Sequence, residues 1–230
     1  MSLILNIDTA LETAFVCLSN GNEVLQSSVN ETQKDHATWL HTAITNLLQK
    51  SGHNVNELEA VAVSIGPGSY TGLRVGLASA KGFCYALNIP LIAISTLKVI
   101  ALAASNQAEG ATIICPMIDA RRMEVFTILY DINLTERSSA QSMILETNSF
   151  SSLLLSDKIL FCGGGSKKLQ NIISSYNTIF NFNNYTAKHL AQLSYNCFLN
   201  NDFSNLAYTA PLYIKEFYTL PQDLVKKSVI

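Results

Sequence analysis

The chain has 230 residues, 48% of them apolar and only 14% charged, with a formal net charge of -2. That length allows one large domain or two compact lobes sharing a core. The near-neutral balance excludes a strong autonomous grip on nucleic acid, which needs clustered cations, and the scarcity of charge points to a surface partly covered by a partner.

In chain order, Leu3 to Ile7 and Thr13 to Leu18 read as β-strands around a turn holding Asp8 and Thr9, and the run 20–23 punctuates a return, giving an antiparallel meander. From Asp35 to Lys50, Leu40, Ile44, Leu47 and Leu48 recur at helical spacing, and Gly52 follows as a stop signal. Ala60 to Ile65 reads as a buried strand running into a glycine-rich loop and a helix from about Gly72 to Leu87. A strand over Ile89 to Ile94 precedes a helix capped by Ser95 or Thr96 and ending near Ser105.

The second half repeats this order. Ile113 to Ile118, a turn holding Asp119, and Val125 to Tyr130 echo the beginning; Lys158 to Cys162, a second glycine loop at 163–166 and a helix from Lys167 to Tyr176 echo the rest. The repeat predicts an α/β chain of two similar lobes, 1–105 and 106–230, each a mixed sheet with flanking helices. The Ser/Thr/Asn-rich run 135–152 reads as a loop, and the last residues, 226–230, as poorly ordered. Five singly scattered cysteines, none at C-x-x-C spacing, predict buried free thiols in a reducing, cytoplasmic setting, and no basic leader or membrane span is legible.

The glycine loop invites a phosphate-binding reading. Gly72 is followed by Leu73 and Arg74, not by the Lys and Ser/Thr of a Walker loop, and Gly66, Gly68 and Gly72 miss the dinucleotide spacing by one residue. An anion at the turn of Gly66, Gly68 and Ser69 stays open, as does a nucleotide or magnesium ion held by Asp8, Thr9 and Asp119; both aspartates also suit ordinary turns. In the helix, Gly72, Gly76 and Ala80 fall four apart and leave one face almost bare, for packing inside the domain or for a helix of another subunit. His36 and His41 are five apart and unsuited to chelating one ion, and no hydrolase elbow is present.

Several segments together resemble a known family: ILNIDTALETAFVCL at 4–18, HATWLHTAITNLL at 36–48, AVSIGPGSYTGLRVGLASAKGF at 62–83, PLIAISTL at 90–97 and MIDARRMEVF at 117–126. With GGGSKK at 163–168 and PLYIK at 211–215, they are similar to the TsaB (YeaZ) family of bacterial tRNA threonylcarbamoyladenosine biosynthesis subunits. The resemblance implies a duplicated actin-like, ribonuclease H-like fold of the sugar-kinase superfamily. It also implies a non-catalytic scaffold for a TsaD transferase, with a TsaE ATPase as third member and tRNA met only through the complex. TsaD holds its metal through a His-x-x-x-His pair; here His36 is followed four residues on by Leu40, so neither metal nor catalytic residue is expected.

The family associates through its first two helices, with TsaD or with itself. Carried over, the interface would use Leu40, Ile44, Leu47 and Leu48 with Gly72, Leu73, Gly76 and Ala80, and Gly76→Leu would block the partner while sparing the fold. ATP or ADP is expected only at the shared interface. The alternative is an autonomous nucleotide-binding enzyme of the actin and sugar-kinase class, using Asp8 and Asp119.

Overall fold

A computed structural model of the chain describes residues 2–32, 35–108 and 110–215; the run 226–230 lies outside them. The first half forms β1 (Leu3–Asp8), β2 (Ala14–Asn20), β3 (Glu23–Asn30), α1 (His36–Ser51), β4 (Ala60–Gly66), α2 (Tyr70–Leu87), β5 (Leu91–Ser95) and α3 (Thr96–Ser105). The second forms β6 (Ile113–Asp119), β7 (Glu124–Thr127), β8 (Tyr130–Asp131), β9 (Gln141–Ile144), β10 (Ile159–Cys162), α4 (Ser166–Gln170), β11 (Thr178–Asn181) and α5 (Ala187–Leu199).

The duplication is explicit in the sheets. The first runs β3-β2-β1-β4-β5 and the second β9-β7-β6-β10-β11, with β8 added alongside β6. In both, the two outer strands on the hairpin side pair antiparallel and the central and crossover strands pair parallel. Right-handed strand–helix–strand connections need both sheet faces covered, and so β1, β4 and β6 are almost wholly buried.

On the outer face of the first sheet, α1 and α2 pack through Leu40, Ile44, Leu47, Leu48, Leu77 and Ala80. Gly52 closes α1 in the left-handed conformation, where its N–H and that of His53 satisfy the last carbonyls. Ser69 caps α2 by accepting from Gly72 N. The inner face is covered by α5, whose Leu190 and Leu193 join Ile4, Phe15, Ile92 and Val99. α3 crosses the other way: Leu97, Ile100 and Ala104 pack on Ile114, Ile118 and Leu160 of the second sheet.

Three expectations change here. The division at 105/106 separates the two sheets, but α5 and the segment after it, assigned by sequence to the second lobe, sit on the first. Ser204 pairs with Leu91 and Ala93 of β5, and Leu212 N donates to the Ile65 carbonyl. The helix expected to reach Tyr176 ends at Gln170, because Ile172, Ile173, Ser174 and Ser175 are weak helix formers and the Ile172 and Ile173 amides both fold back on Leu169 O. The run 135–152 contains the short strand β9.

Candidate functional site

The bare face of α2 is filled from within. The turn after β1 lies across the start of α2, and a Cβ on Gly68, Gly72 or Gly76 would come under 3.0 Å from Ala10 O, Thr9 O or Thr9 Oγ1 respectively. The Thr9 hydroxyl donates to Gly72 O (2.7 Å), and Ser69 N donates to Ala10 O (2.7 Å). These glycines therefore admit the chain's own turn, not a neighbouring subunit. The second glycine loop repeats the arrangement: Gly163 and Gly165 lie against Met117, Ile118 and Asp119 at the end of β6, and Gly165 N donates to Met117 O.

The predicted interface residues are accordingly not surface. Leu40, Ile44, Leu47, Leu73 and Ala80 are at most 2% exposed and Leu48 is 9%, while Gly72 and Gly76 are buried. Burial of each large side chain stabilises the first lobe by about 1.5–3 kcal/mol, so none is available to a partner in the folded chain. The residues on the solvent side of the same two helices are different ones. On α2, Ala78, Gly82 and Ala86 form a second small-residue stripe, four apart and exposed, and a Cβ on Gly82 meets nothing within 4 Å. Beside it Tyr85 is 82% exposed, and Tyr208, next in the chain after Ala207, is 86% exposed. A groove of about 560 Å³ there is lined by Lys81, Gly82, Tyr85, Leu206 and Ala207.

The predicted nucleotide residues fall into two separate groups. Asp8 is completely buried; its Oδ1 accepts from Ala10 N (2.9 Å) and its Oδ2 from the Ser64 hydroxyl (2.6 Å). Burial raises its pKa, opposed by the bonds from Ser64 and Ala10 and by nearby Tyr185 and His36. Tyr185, which reaches in from the chain ahead of α5, has its hydroxyl buried without a hydrogen bond of ordinary geometry, yet close enough for burial and the Asp8 carboxylate to push its pKa well up. Ser64 and Tyr185 carried no sequence signal; Tyr185 joins the group only because α5 returns to the first sheet. Thr9 Oγ1, Ser69 N and both Asp8 carboxylate oxygens are thus committed within the chain, so a phosphate-bound ion held at Asp8 would have to displace these bonds. Asp119 is exposed and belongs with other residues: Oδ1 accepts from Lys168 Nζ (2.7 Å) and Arg121 N (2.6 Å). Burial opposes its ionisation, but these two donors hold its carboxyl below the usual value.

The raised Asp8 pKa has a measurable sign. A carboxyl that holds its proton more tightly folded than unfolded stabilises the fold at acid pH and loses that contribution as pH rises through its folded value. Asp8→Asn keeps the acceptor for Ala10 N and presents an amide to Ser64 Oγ. Its stability relative to the parent is therefore expected to rise as pH increases above the ordinary carboxylate range of about 4. Thermal unfolding from that pH upward reads it, and an advantage that shrinks toward neutrality would contradict it.

His36 is 3% exposed and bonded at both ring nitrogens: Nε2–H donates to Leu11 O (3.1 Å), leaving Nδ1 to accept from Asn30 Nδ2 (3.2 Å). His41 is bonded instead to Ser79 Oγ across the α1–α2 pair. Among the described residues no three His, Cys, Asp or Glu side chains converge as metal ligands, and no helix is long and apolar enough to cross a membrane. All five cysteines are free; burial pushes Cys17 and Cys115 up to about 12 and Cys84 to about 11.

Residues 23–219 match the family model described as TsaD: tRNA N6-adenosine threonylcarbamoyltransferase. Two relatives, from Bacillus subtilis and Escherichia coli, are each a tRNA threonylcarbamoyladenosine biosynthesis protein TsaB. Each is 35% identical over 127 residues, which is 55% of this chain and 54% of the relative. The chain thus spans about half the length of the curated relatives it matches. Among solved structures, YeaZ from Pseudomonas aeruginosa superposes with a TM-score of 0.77 at 22% identity, covering 93% of this chain and all of that one. A crystal structure described as similar to peptidase YeaZ from Pseudomonas aeruginosa gives 0.80 at 23%, covering 94% and all. These likenesses carry the actin-like duplicated fold, while the family rests on the match that takes in most of the chain. On that match the chain belongs to the TsaD-related family, and its likeness within it is to TsaB (YeaZ).

Proposed function

We propose that this chain is a non-catalytic subunit of the assembly that forms N6-threonylcarbamoyladenosine beside the anticodon of tRNAs reading codons that begin with A. In that role it docks and activates a TsaD-like transferase, with a TsaE-like ATPase as third member, and meets tRNA only through the complex in the cytoplasm. The observation that supports this is the state of His36 and Leu40. At the spacing of the transferase's metal pair, one residue has both nitrogens bonded inside the chain and the other is a core leucine. A metal would have to displace structural bonds of one and could find no donor on the other.

The docking surface we propose is still the α1–α2 pair, through its outer side: Ala78, Gly82 and Ala86 admit a partner helix closely, and Tyr85 and Tyr208 supply apolar area at its edge. In the partner's absence the same surface serves self-association. The chain needs no cofactor of its own in this account, ATP or ADP binding only at the shared interface. Calorimetry of the isolated chain with ATP and magnesium is expected to register no micromolar binding. Such binding, lost in Asp8→Asn, would favour an autonomous nucleotide-binding enzyme instead.

A further inference from the structure

The tip of the β6–β7 hairpin carries two consecutive arginines, Arg121 at φ 71 and Arg122 at φ 47, both in the left-handed region that residues with a Cβ seldom occupy. The turn is held in that form: Arg121 N donates to Asp119 Oδ1, Ala120 N to Glu124 O (3.0 Å) and Glu124 N to Arg121 O (3.0 Å). Both arginines are exposed, and among the described residues neither guanidinium has a hydrogen-bond or ion-pair partner. The neighbouring carboxylates are already neutralised, Asp119 by Lys168 and Glu124 by Lys215. In a chain of net charge -2, this leaves a local excess of positive charge at the carboxyl end of β6, beside the second glycine loop, whose Gly164 is exposed.

We infer that Arg121 and Arg122 contact the phosphate backbone of the RNA substrate in the assembled complex, an inference that rests on the function proposed above. Guanidinium forks match phosphate oxygens two at a time, and a fixed turn presents both at low entropic cost. An acidic protein segment is the less favoured occupant: a protein interface needs a broad apolar centre, and among the described residues the large apolar side chains exposed by the tip are Met123 and, opposite Glu124 on β9, Ile144. Two cations give too weak a grip for the isolated chain at physiological salt, so the contact adds to an RNA site built largely by the partner.

The test titrates tRNA into the purified complex with the TsaD-like partner, with and without Arg121→Gln/Arg122→Gln, across a range of salt. The expected result is an intact complex whose RNA affinity falls roughly tenfold and whose log–log salt slope flattens by about 1–2. Arg→Lys replacements should keep the slope, a readout that a merely structural role would not move. Unchanged affinity and slope overturn the inference; so does a variant that no longer assembles, which would make the tip a protein contact. If the parent chain forms no complex at all, the proposed function fails separately. The same titration on the isolated chain at low salt then decides the inference, an unchanged slope in the variant overturning it.

Discussion

Gly72→Ala is expected to destabilise the chain by about 3 kcal/mol, the upper range for overpacking, although alanine in an open helix is favoured over glycine by about 1 kcal/mol. The added methyl would meet the Thr9 carbonyl oxygen, which is backbone and cannot rotate away. Gly76→Ala meets the Thr9 hydroxyl instead, a side-chain atom. Thr9→Ala should therefore rescue Gly76→Ala in part and Gly72→Ala hardly at all. Gly82→Ala, on the open side of the same helix, should stabilise by about 1 kcal/mol. Denaturant unfolding of these three single variants and the two double variants with Thr9→Ala gives the answer. A Gly72→Ala variant as stable as the parent would mean that the β1 turn does not sit on α2 as described. The expectation that Gly76→Leu spares the fold is withdrawn on the same geometry.

Tyr85→Asp is expected to do the reverse, leaving stability within about 0.5 kcal/mol of the parent while weakening the complex with a TsaD-like partner by 2 kcal/mol or more, roughly 30-fold. Its ring is almost fully exposed, so the folded monomer loses little, whereas an aromatic side chain at the edge of a groove is the kind that anchors an interface. A bulky Gly82→Trp should act similarly by holding the facing helix away. Gel filtration with the partner distinguishes these from core variants, because both mutants should elute as folded monomers apart from the partner. If Tyr85→Asp and Gly82→Trp associate as the parent does, the outer face of α1–α2 is not the docking surface.

What the sequence revealed and what it hid follow from distance along the chain. Both sheets were legible because runs such as Ala60 to Ile65 and Ile113 to Ile118 are apolar and β-branched, and the Asp-turn and glycine-loop signals punctuate each half in the same order. The bare stripe at Gly72, Gly76 and Ala80 was also legible as a stripe. Its occupant was not, since Thr9 lies 63 residues from Gly72 and helical spacing carries no information about what faces it. The same limit explains Leu40, Ile44 and Leu47: an apolar stripe marks a buried face without saying whether the burial is internal or between subunits. α5 escaped because its packing partners, Ile4, Phe15 and Ile92, lie on the other sheet. Asp8 was found as a turn carboxylate, but its burial under Ser64 and Tyr185 depends on that returning helix.

The role proposed for this chain is decided by tRNA threonylcarbamoylation in a purified mixture from which this chain, the TsaD-like partner, or neither is left out. Product should form at full rate only when both are present, and the rate should fall with Tyr85→Asp in proportion to the loss of complex. Product formed by this chain alone, or at an undiminished rate without it, would contradict the claim that it is a non-catalytic but required partner.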